Sequence, residues 1–374
     1  MVISKEKNEL SSPFCVTKLN CHLRKINEIT KWVNHQNRET VPYPITVELD
    51  LVANCNQACR WCDFRSWSKK RKFLSLKNIS SLFKELAVLG IKAVEIVGGG
   101  ESLLHPQFKD IVKQAQLNKL ELGLVTNGTL LSKIYHVASY FTFIRISLDA
   151  ATPKTYYQNH YYWSKNKFSD KLFFNVLKQI ENLKKYIANK NIGIAFLITP
   201  WNYREIVACA ELAKKIGVGY IVYRPLGNQN SKIKYPNNYW QVVEANLKQV
   251  KELENQSFKV YQSHESRWQF AQKKRKNVGH CVGSLLYSVI EPTGNIPFCN
   301  LLRGFKKYSI GNIYESGSFS EIWRGEKHQQ LFKKINIIHC PRLCKANDYT
   351  LYINNFPVNK WGKLKRSHYH QNFL

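Results

Sequence analysis

The feature that most restricts the fold is a regular alternation of strand and helix patterns between residues 45 and 225. Alternating or continuous apolar runs predict strands at 46–52, 93–97, 120–125, 143–148, 192–198 and 220–223. Apolar residues at helical spacing predict helices at 76–89, 107–117, 129–139 and 203–215, and Thr152-Pro153 predicts the start of another. Such alternation produces a parallel sheet with right-handed crossovers. The sequence therefore predicts an α/β fold, a partial (β/α)6 barrel similar to a TIM barrel, whose chemistry lies at the carboxyl ends of the strands.

The rest of the chain predicts three further regions around this barrel of residues 45–225. Residues 1–44 lack a clear period and are interpreted as an N-terminal extension, and residues 226–280 as a linker with a helix near 238–253. A smaller, cysteine-rich domain with a basic tail is predicted for residues 281–374. Within it, the strand patterns 286–291 and 296–298 flank a Pro-Thr-Gly-Asn turn and predict a β-hairpin.

The composition is that of a folded protein without a membrane segment. The 374 residues suffice for a barrel and a smaller second domain. No apolar run approaches the roughly 20 residues that span a bilayer, and residues 1–9 lack the apolar stretch of a signal peptide. The sequence therefore predicts a cytoplasmic protein with no membrane partner.

Ten cysteines in a cytosolic chain favour a metal or cluster site over disulfides. Three of them lie in Cys55-Asn-Gln-Ala-Cys59-Arg-Trp-Cys62, directly after the first predicted strand. A structural zinc ion takes four ligands, whereas a cubane iron–sulfur cluster held by three thiolates leaves one iron open for a reactant. The spacing favours a 4Fe-4S cluster. A zinc site with a remote fourth ligand is the alternative.

Gly98, Gly99, Gly100 and Glu101 follow the second predicted strand. Glycines let the backbone approach a ligand closely, and a carboxylate accepts charge-assisted hydrogen bonds from an ammonium group. The alternative is an ordinary turn, and no Lys-Ser or Lys-Thr follows to form a phosphate-binding loop. The position one β/α unit beyond the cysteine loop favours a ligand site.

The CxxxCxxC spacing, the aromatic Trp61 before its last cysteine and the Gly-Gly-Gly-Glu101 element together resemble the radical S-adenosylmethionine (SAM) superfamily. The resemblance implies that the open iron binds the amino and carboxylate groups of SAM. An electron from the reduced cluster then breaks a carbon–sulfur bond of SAM, and the 5'-deoxyadenosyl radical abstracts hydrogen from the substrate. It also implies that Glu101 contacts the methionine ammonium and that an electron donor such as flavodoxin or ferredoxin is a partner.

By the same resemblance, polar residues at later strand ends contact the cofactor. These residues are Asn127, Ser147, Asp149 and Arg224, in addition to Trp61. Alternatives remain for three of them, because Asn127-Gly128 is also typical of a turn, Asp149 of a helix cap and Arg224 of a solvated barrel rim. Ser147 is the stronger prediction.

A second cysteine set consists of Cys281, Cys299, Cys340 and Cys344. Four thiolates complete the ligand shell of a cluster, and a four-thiolate zinc site is the alternative. The set, with the hairpin glycine five residues before Cys299, resembles the SPASM/twitch extension of the superfamily, and four cysteines imply one auxiliary 4Fe-4S cluster. Three cysteines fit neither set: Cys15, Cys21 and Cys209.

The formal net charge of +30 favours anionic partners, although an AT-rich genome would also enrich lysine. The leading prediction is a radical SAM oxidoreductase that acts on a polar, anionic small molecule such as a sugar, an aminocyclitol or a nucleotide-linked sugar, with the auxiliary cluster accepting an electron. A maturase of a ribosomally made peptide is the runner-up, since about 44 residues before the barrel are short for a leader-binding domain. The β/α pattern argues against a zinc-stabilised nucleic-acid-binding protein. The sequence identifies no catalytic acid or base.

Overall fold

The computed structural model describes residues 12–34, 40–62, 64, 73–165, 167–226, 233–264, 268, 280–335, 340, 344–355 and 370–374. Its centre is one sheet of eight strands in the order β7-β6-β5-β4-β3-β2-β1-β8. The strands are β1 (Thr46–Leu49), β2 (Ala93–Ile96), β3 (Glu121–Thr126), β4 (Phe141–Ser147), β5 (Ile192–Ile198), β6 (Tyr220–Pro225), β7 (Lys259–Gln262) and β8 (Tyr287–Ile290). All neighbouring strands run parallel, so the sheet is the predicted partial TIM-like barrel.

The sheet extends past the six predicted strands at both edges. Lys259–Gln262 pairs with β6, and Tyr287–Ile290 pairs with β1. Neither pairing was predicted from the sequence, because β7 has four residues and β8 had been assigned to a hairpin. Residue 281 was predicted as the start of the second, cysteine-rich domain. The barrel sheet crosses that boundary, because β7 precedes residue 281 and β8 follows it.

Helices cover the outer face of the sheet, and their apolar residues face inward. The α-helices are α1 (Leu23–Asn34), α2 (Leu76–Val88), α3 (Phe108–Leu117), α4 (Pro153–His160), α5 (Asp170–Leu183), α6 (Ile206–Ile216), α7 (Tyr239–Lys251), α8 (Ile313–Ser316), α9 (Phe319–Arg324), α10 (Glu326–Lys334) and α11 (Lys345–Asn355). Short 3-10 helices occupy Val16–His22, Ser102–Leu104, Leu131–Tyr140, Asn189–Asn191, Tyr203–Glu205, Val282–Leu285, Asn300–Leu302 and Lys306–Tyr308. Within the described ranges, no helix is long and apolar enough to cross a membrane.

The structure confirms one predicted helix start and changes the type of another predicted helix. Helix α4 begins as predicted, since the Thr152 hydroxyl accepts a hydrogen bond from the Thr155 N–H at 3.3 Å and Pro153 occupies the first turn. The segment predicted as a helix at 129–139 is instead the 3-10 helix Leu131–Tyr140. Its apolar residues still point inward, with Leu131, Ile134 and Val137 buried.

The C-terminal region contains the predicted β-hairpin, but with different strands. Strand β9 (Asn295–Pro297) pairs antiparallel with β10 (Ser309–Asn312). The expected ladder between 286–291 and 296–298 was wrong, because β8 pairs with β1 and β9 pairs with β10. A backbone hydrogen bond from the Glu291 N–H to the Asn295 carbonyl at 2.9 Å connects the two segments at the turn. All four residues of β8 are buried, as is typical of strands inside a parallel sheet.

Residues 370–374 lie at the amino-terminal edge of the sheet. The Thr46 hydroxyl donates to the Asn372 carbonyl oxygen at 2.7 Å, and the Asn372 side chain donates to Glu121 at 2.6 Å. Phe373 is 4% exposed and packs edge-on against Phe143, with ring centroids 5.1 Å apart. This segment therefore closes the barrel at the end opposite the cysteine loop.

Candidate active site

The first cysteine set lies on the loop that follows β1, and neighbouring backbones hold this loop on two sides. The Ala58 N–H donates to the His160 carbonyl at 2.9 Å, and the Arg60 N–H donates to the Asn159 carbonyl at 2.9 Å. On the other side, the Glu101 N–H donates to the Asn54 carbonyl at 2.9 Å. These backbone hydrogen bonds fix the path of the loop, and its side chains add further contacts such as the Gln57 amide donating to the Tyr156 hydroxyl at 2.8 Å.

The three thiols of this loop are close enough to influence one another's pKa values. Burial raises the pKa of Cys59 well above its usual value, and the neighbouring Cys62 and Cys55 raise it further. Burial, followed by Glu101 and Cys62, raises the pKa of Cys55 to about 12, although the Gln57 N–H opposes the shift. Cys62 is exposed. Because thiolates ligate metals, such a site needs positive charge to deprotonate, and iron supplies it.

His160 is a neighbour of this set that sequence reasoning missed. It is fully buried, and its Nδ1 atom lies 3.3 Å from Cys59 Sγ. Its Nε2 atom lies 2.9 Å from the Leu148 carbonyl oxygen and 3.6 Å from Asp149 Oδ2. A histidine in the last turn of a short helix carries no sequence signal of this contact. Its position links Cys59 to the end of β4.

The Gly98–Glu101 segment contacts the cysteine loop rather than open space. A Cβ atom at Gly100 would overlap the Asn54 carbonyl, so only glycine allows this approach. The Glu101 carboxylate is 2% exposed and accepts hydrogen bonds from Thr126 Oγ1 (2.7 Å), Asn127 N (2.8 Å) and Leu103 N (3.0 Å). Burial raises the pKa of Glu101. Contacts of Gly98, Gly99, Gly100 and Glu101 with SAM stay predictions.

The predicted residues at later strand ends lie around the same loop. The Asn127 side chain donates to Asn56 Oδ1 at 2.8 Å, with Cys55 Sγ 4.0 Å away. Ser147 is half-buried at the carboxyl end of β4. Asp149 is buried with a left-handed φ of 53°, and its Oδ1 atom accepts the Leu197 N–H at 2.5 Å. Roles of Asn127, Ser147 and Asp149 in cofactor binding stay predictions.

Aromatic and cationic side chains form a wall beside the loop. The Trp61 and Trp201 rings stack at 6.4 Å with an interplanar angle of 7°. The Arg60 guanidinium lies 3.7 Å from the Trp201 ring centroid and 4.2 Å from that of Tyr162. Arg224 follows at the end of β6. Sequence analysis selected Trp61 and Arg224 but missed Arg60, although Arg60 stands within the cysteine motif.

The second cysteine set also converges. Burial raises the pKa of Cys281 to about 12, with Cys344 and Cys340 contributing. Burial, then Cys344, Cys281 and Cys340, raises the pKa of Cys299 well above its usual value. The four thiols predicted as one set are therefore neighbours. Among the described residues, no three His, Cys, Asp or Glu side chains are arranged to hold a single metal ion, whereas a cubane spreads its ligands over several iron atoms.

Both cysteine sets border one cavity of about 1170 Å³. Cys62 lines it from the first set and Cys344 from the second. Its wall also contains an ion network: Arg303 donates to Glu48 at 2.6 Å and to Asp50 at 2.8 Å, and Lys345 donates to Glu48. Burial raises the pKa of Glu48, but Lys345 and Arg303 outweigh burial and lower it to about 2.

The comparisons with known proteins agree with this site. The family model "Radical SAM superfamily" matches residues 50–213, and the SPASM model "Iron-sulfur cluster-binding domain" matches residues 281–346. The chain belongs to the radical SAM superfamily. Within that superfamily it carries a C-terminal SPASM domain, so the cofactors are a 4Fe-4S cluster that binds SAM and an auxiliary iron–sulfur centre.

Three similar proteins indicate the range of this group. The chain is 25% identical over 314 residues to the AdoMet-dependent heme synthase of Methanosarcina barkeri (78% of this chain, 84% of the relative). It is 22% identical over 316 residues to mycofactocin maturase MftC of Mycolicibacterium smegmatis (78% and 72%). Streptococcus suis SuiB, solved with its precursor peptide SuiA, matches the fold with a TM-score of 0.64 and 14% identity (98% and 82%).

The residues of this chain fit these cofactors, because each predicted ligand set forms a group of mutually close thiols. Cys55, Cys59 and Cys62 would hold the first cluster, and Cys281, Cys299, Cys340 and Cys344 the auxiliary one. Bound there, the cluster and SAM supply a 5'-deoxyadenosyl radical that abstracts hydrogen. The protein contributes a loop held by backbone hydrogen bonds, a half-buried Cys59 and a wall of aromatic and cationic side chains.

Proposed function

We propose that this enzyme is a radical SAM oxidoreductase that removes hydrogen from a polar, anionic small molecule such as a sugar, an aminocyclitol or a nucleotide-linked sugar. The observation that carries the proposal is that one cavity is bordered by both Cys62 and Cys344. A substrate bound in it lies between the two ligand sets. Held by Cys55, Cys59 and Cys62, the first cluster with SAM would supply the radical that takes a hydrogen atom from one C–H bond of the substrate. An auxiliary cluster held by Cys281, Cys299, Cys340 and Cys344 would supply the acceptor of the second electron, and the accompanying proton would pass to water.

Charge supports an anionic substrate. Arg60 and Arg224 line the cavity near the first cysteine loop, and guanidinium groups bind carboxylates and phosphates through two hydrogen bonds. Arg60 stands within the cysteine loop itself, and Arg224 lies at the end of β6. The residues that favour an anionic group therefore lie on the side where hydrogen abstraction would start.

The first experiment measures iron, sulfide and 5'-deoxyadenosine after anaerobic reconstitution. We expect about eight irons per chain and 5'-deoxyadenosine formation with dithionite and SAM. Cys55→Ala should lose about four irons and all 5'-deoxyadenosine. The matched variant Cys299→Ala should lose about four irons and still cleave SAM. An iron-free protein that forms no 5'-deoxyadenosine would exclude the radical activity.

A peptide maturase is the second candidate, favoured by the similarity to MftC and to SuiB. The two candidates are separated by adding phosphorylated sugars, nucleotide sugars or a precursor peptide encoded beside the gene. The substrate is the compound that increases 5'-deoxyadenosine formation and acquires a new mass.

A further inference from the structure

The segment Gly98–Glu101, which is predicted to contact SAM, is held in part by Asp50, the residue after β1. The Gly98 N–H donates to Asp50 Oδ1 at 3.0 Å. Asp50 is fully buried, so no surface water replaces this hydrogen bond if the carboxylate turns away. The position of Gly98 therefore depends on the orientation of the Asp50 carboxylate.

The C-terminal region holds Asp50 by both its side chain and its backbone. Arg303 Nε donates to Asp50 Oδ2 at 2.8 Å, and a terminal nitrogen of the same guanidinium donates to Glu48 at 2.6 Å. The Asp50 N–H donates to the Ile290 carbonyl of β8 at 2.9 Å. The Arg303 side chain is only 9% exposed. A buried guanidinium that binds two carboxylates has little freedom to rotate, so it fixes the orientation of Asp50.

A second contact from the C-terminal region reaches the glycine segment directly. Gly99 has a left-handed φ of 84°, and a Cβ atom at this position would lie 3.3 Å from Pro292 Cγ and 3.1 Å from the Val52 carbonyl oxygen. Pro292 is buried in the turn between β8 and β9. This turn therefore packs against the backbone of Gly99, which only glycine allows.

The two contacts come from segments that are tied to each other and to a predicted auxiliary ligand. Arg303 lies four residues after Cys299 in the sequence. The next residue, Gly304, donates its N–H to Glu291 Oε1 at 2.7 Å, and Glu291 directly precedes Pro292. A shift of the loop after Cys299 would therefore change both contacts with the glycine segment together.

We propose that Arg303 is a positioning residue for SAM, which acts through Asp50 to hold the Gly98–Glu101 segment in place. The C-terminal region thereby sets the affinity for SAM even when no substrate is bound. The inference rests on the proposed radical activity and on the predicted contact between this segment and SAM. It adds to that function a coupling between the SAM site and the domain of the auxiliary cluster.

The test measures the dissociation constant of SAM on the reconstituted, oxidised holoenzyme, without reductant or substrate, so that SAM is not cleaved. Arg303→Lys keeps the buried positive charge, but one ammonium group does not span Asp50 and Glu48 as the guanidinium does. We expect the dissociation constant to rise about tenfold, with the iron content unchanged. With dithionite, 5'-deoxyadenosine formation should need about tenfold more SAM and reach nearly the wild-type rate at saturation.

Hydrogen exchange of the same holoenzyme without SAM gives a second readout. The amides of residues 98–101 should exchange faster in Arg303→Lys than in the wild type. Arg324→Lys is the matched control, because Arg324 also joins the C-terminal region to the rest of the protein. Its guanidinium lies 4.0 Å from the Tyr43 ring centroid, and its Nε donates to the Val41 carbonyl at 3.4 Å. Since these contacts precede β1, exchange and SAM affinity should stay at the wild-type values.

A double-mutant cycle tests the path through Asp50. Asp50→Asn alone should weaken SAM binding, because its amide group presents donors to Arg303. Asp50→Asn/Arg303→Lys should then bind SAM about as well as the weaker single variant, since both changes break the same path.

An unchanged dissociation constant or unchanged exchange in Arg303→Lys would overturn the proposal. Additive losses in the double variant, an equal loss in Arg324→Lys, or loss of iron in Arg303→Lys would also overturn it. A wild-type protein that holds its iron but binds no SAM would instead reject the proposed radical activity itself.

Discussion

At the scale of single residues, a buried side chain of this site, Glu101, hydrogen-bonds to neighbouring chain segments. Glu101 was selected as a cofactor contact, yet its carboxylate accepts three hydrogen bonds from the protein itself. Through Thr126 and Asn127 it joins the end of β3 to the cysteine loop. A sequence motif identifies such a glutamate but does not distinguish a ligand contact from an internal one.

Lys18 gives a prediction at this scale. It is 1% exposed and donates to the backbone carbonyls of Pro13 and Phe373. Burial, with a smaller contribution from Lys345, lowers its pKa to about 7. Between about pH 7 and the usual lysine pKa near 10.5, the unfolded chain binds more protons than the folded one, so stability should rise with pH through this window.

Lys18→Met removes this group and should flatten that rise. The measurement is urea unfolding of both proteins at pH 7 and about pH 9.5, read as the free energy of unfolding. A variant with the same pH slope as the wild type would contradict the assigned pKa of Lys18.

At the scale of elements, the glycine-rich segment after β2 gives the next prediction. Gly100→Ala should displace the Asn54 carbonyl and with it the cysteine loop, because the new Cβ atom would overlap that oxygen. We expect loss of about four irons and of 5'-deoxyadenosine formation. Gly98→Ala is the matched control for iron content alone, since Gly98 is itself a predicted SAM contact but its Cβ would lie 3.6 Å from Asp50 Oδ1, an ordinary contact. If both variants keep the cluster, the steric role of Gly100 is wrong.

The elements also indicate what the sequence could and could not predict. The six strands from β1 to β6 were predicted because each is a compact apolar run followed by a helical pattern. Strand pairing was not encoded locally. The sequences of β8 and β9 have the pattern of a hairpin, but β8 is buried beside β1 and pairs with it. Similarly, the cysteine motifs were visible in the sequence, whereas the contact between His160 and Cys59 depends on tertiary packing.

At the scale of the whole molecule, the C-terminal region is joined to the barrel at several places. Strand β8 lies in the barrel sheet, and Glu85 of α2 accepts hydrogen bonds from Ser318 Oγ (2.8 Å) and Phe319 N (2.9 Å) at the start of α9. Arg303 adds an ion pair with Glu48 at 2.6 Å. These contacts explain how one cavity can be bordered by both cysteine sets.

Residues 370–374 complete this assembly and give the last prediction. Phe373 and Leu374 line the cavity from the amino-terminal edge of the sheet, and Phe373 packs on Phe143. Since a buried phenylalanine contributes both apolar burial and packing, Phe373→Ala should lower the free energy of unfolding by about 3–5 kcal/mol. Phe174→Ala, at a side chain 55% exposed, should change it by less than about 0.5 kcal/mol. Equal, small effects of the two substitutions would mean that this segment does not close the barrel in solution, and the cavity would then open to water at both ends.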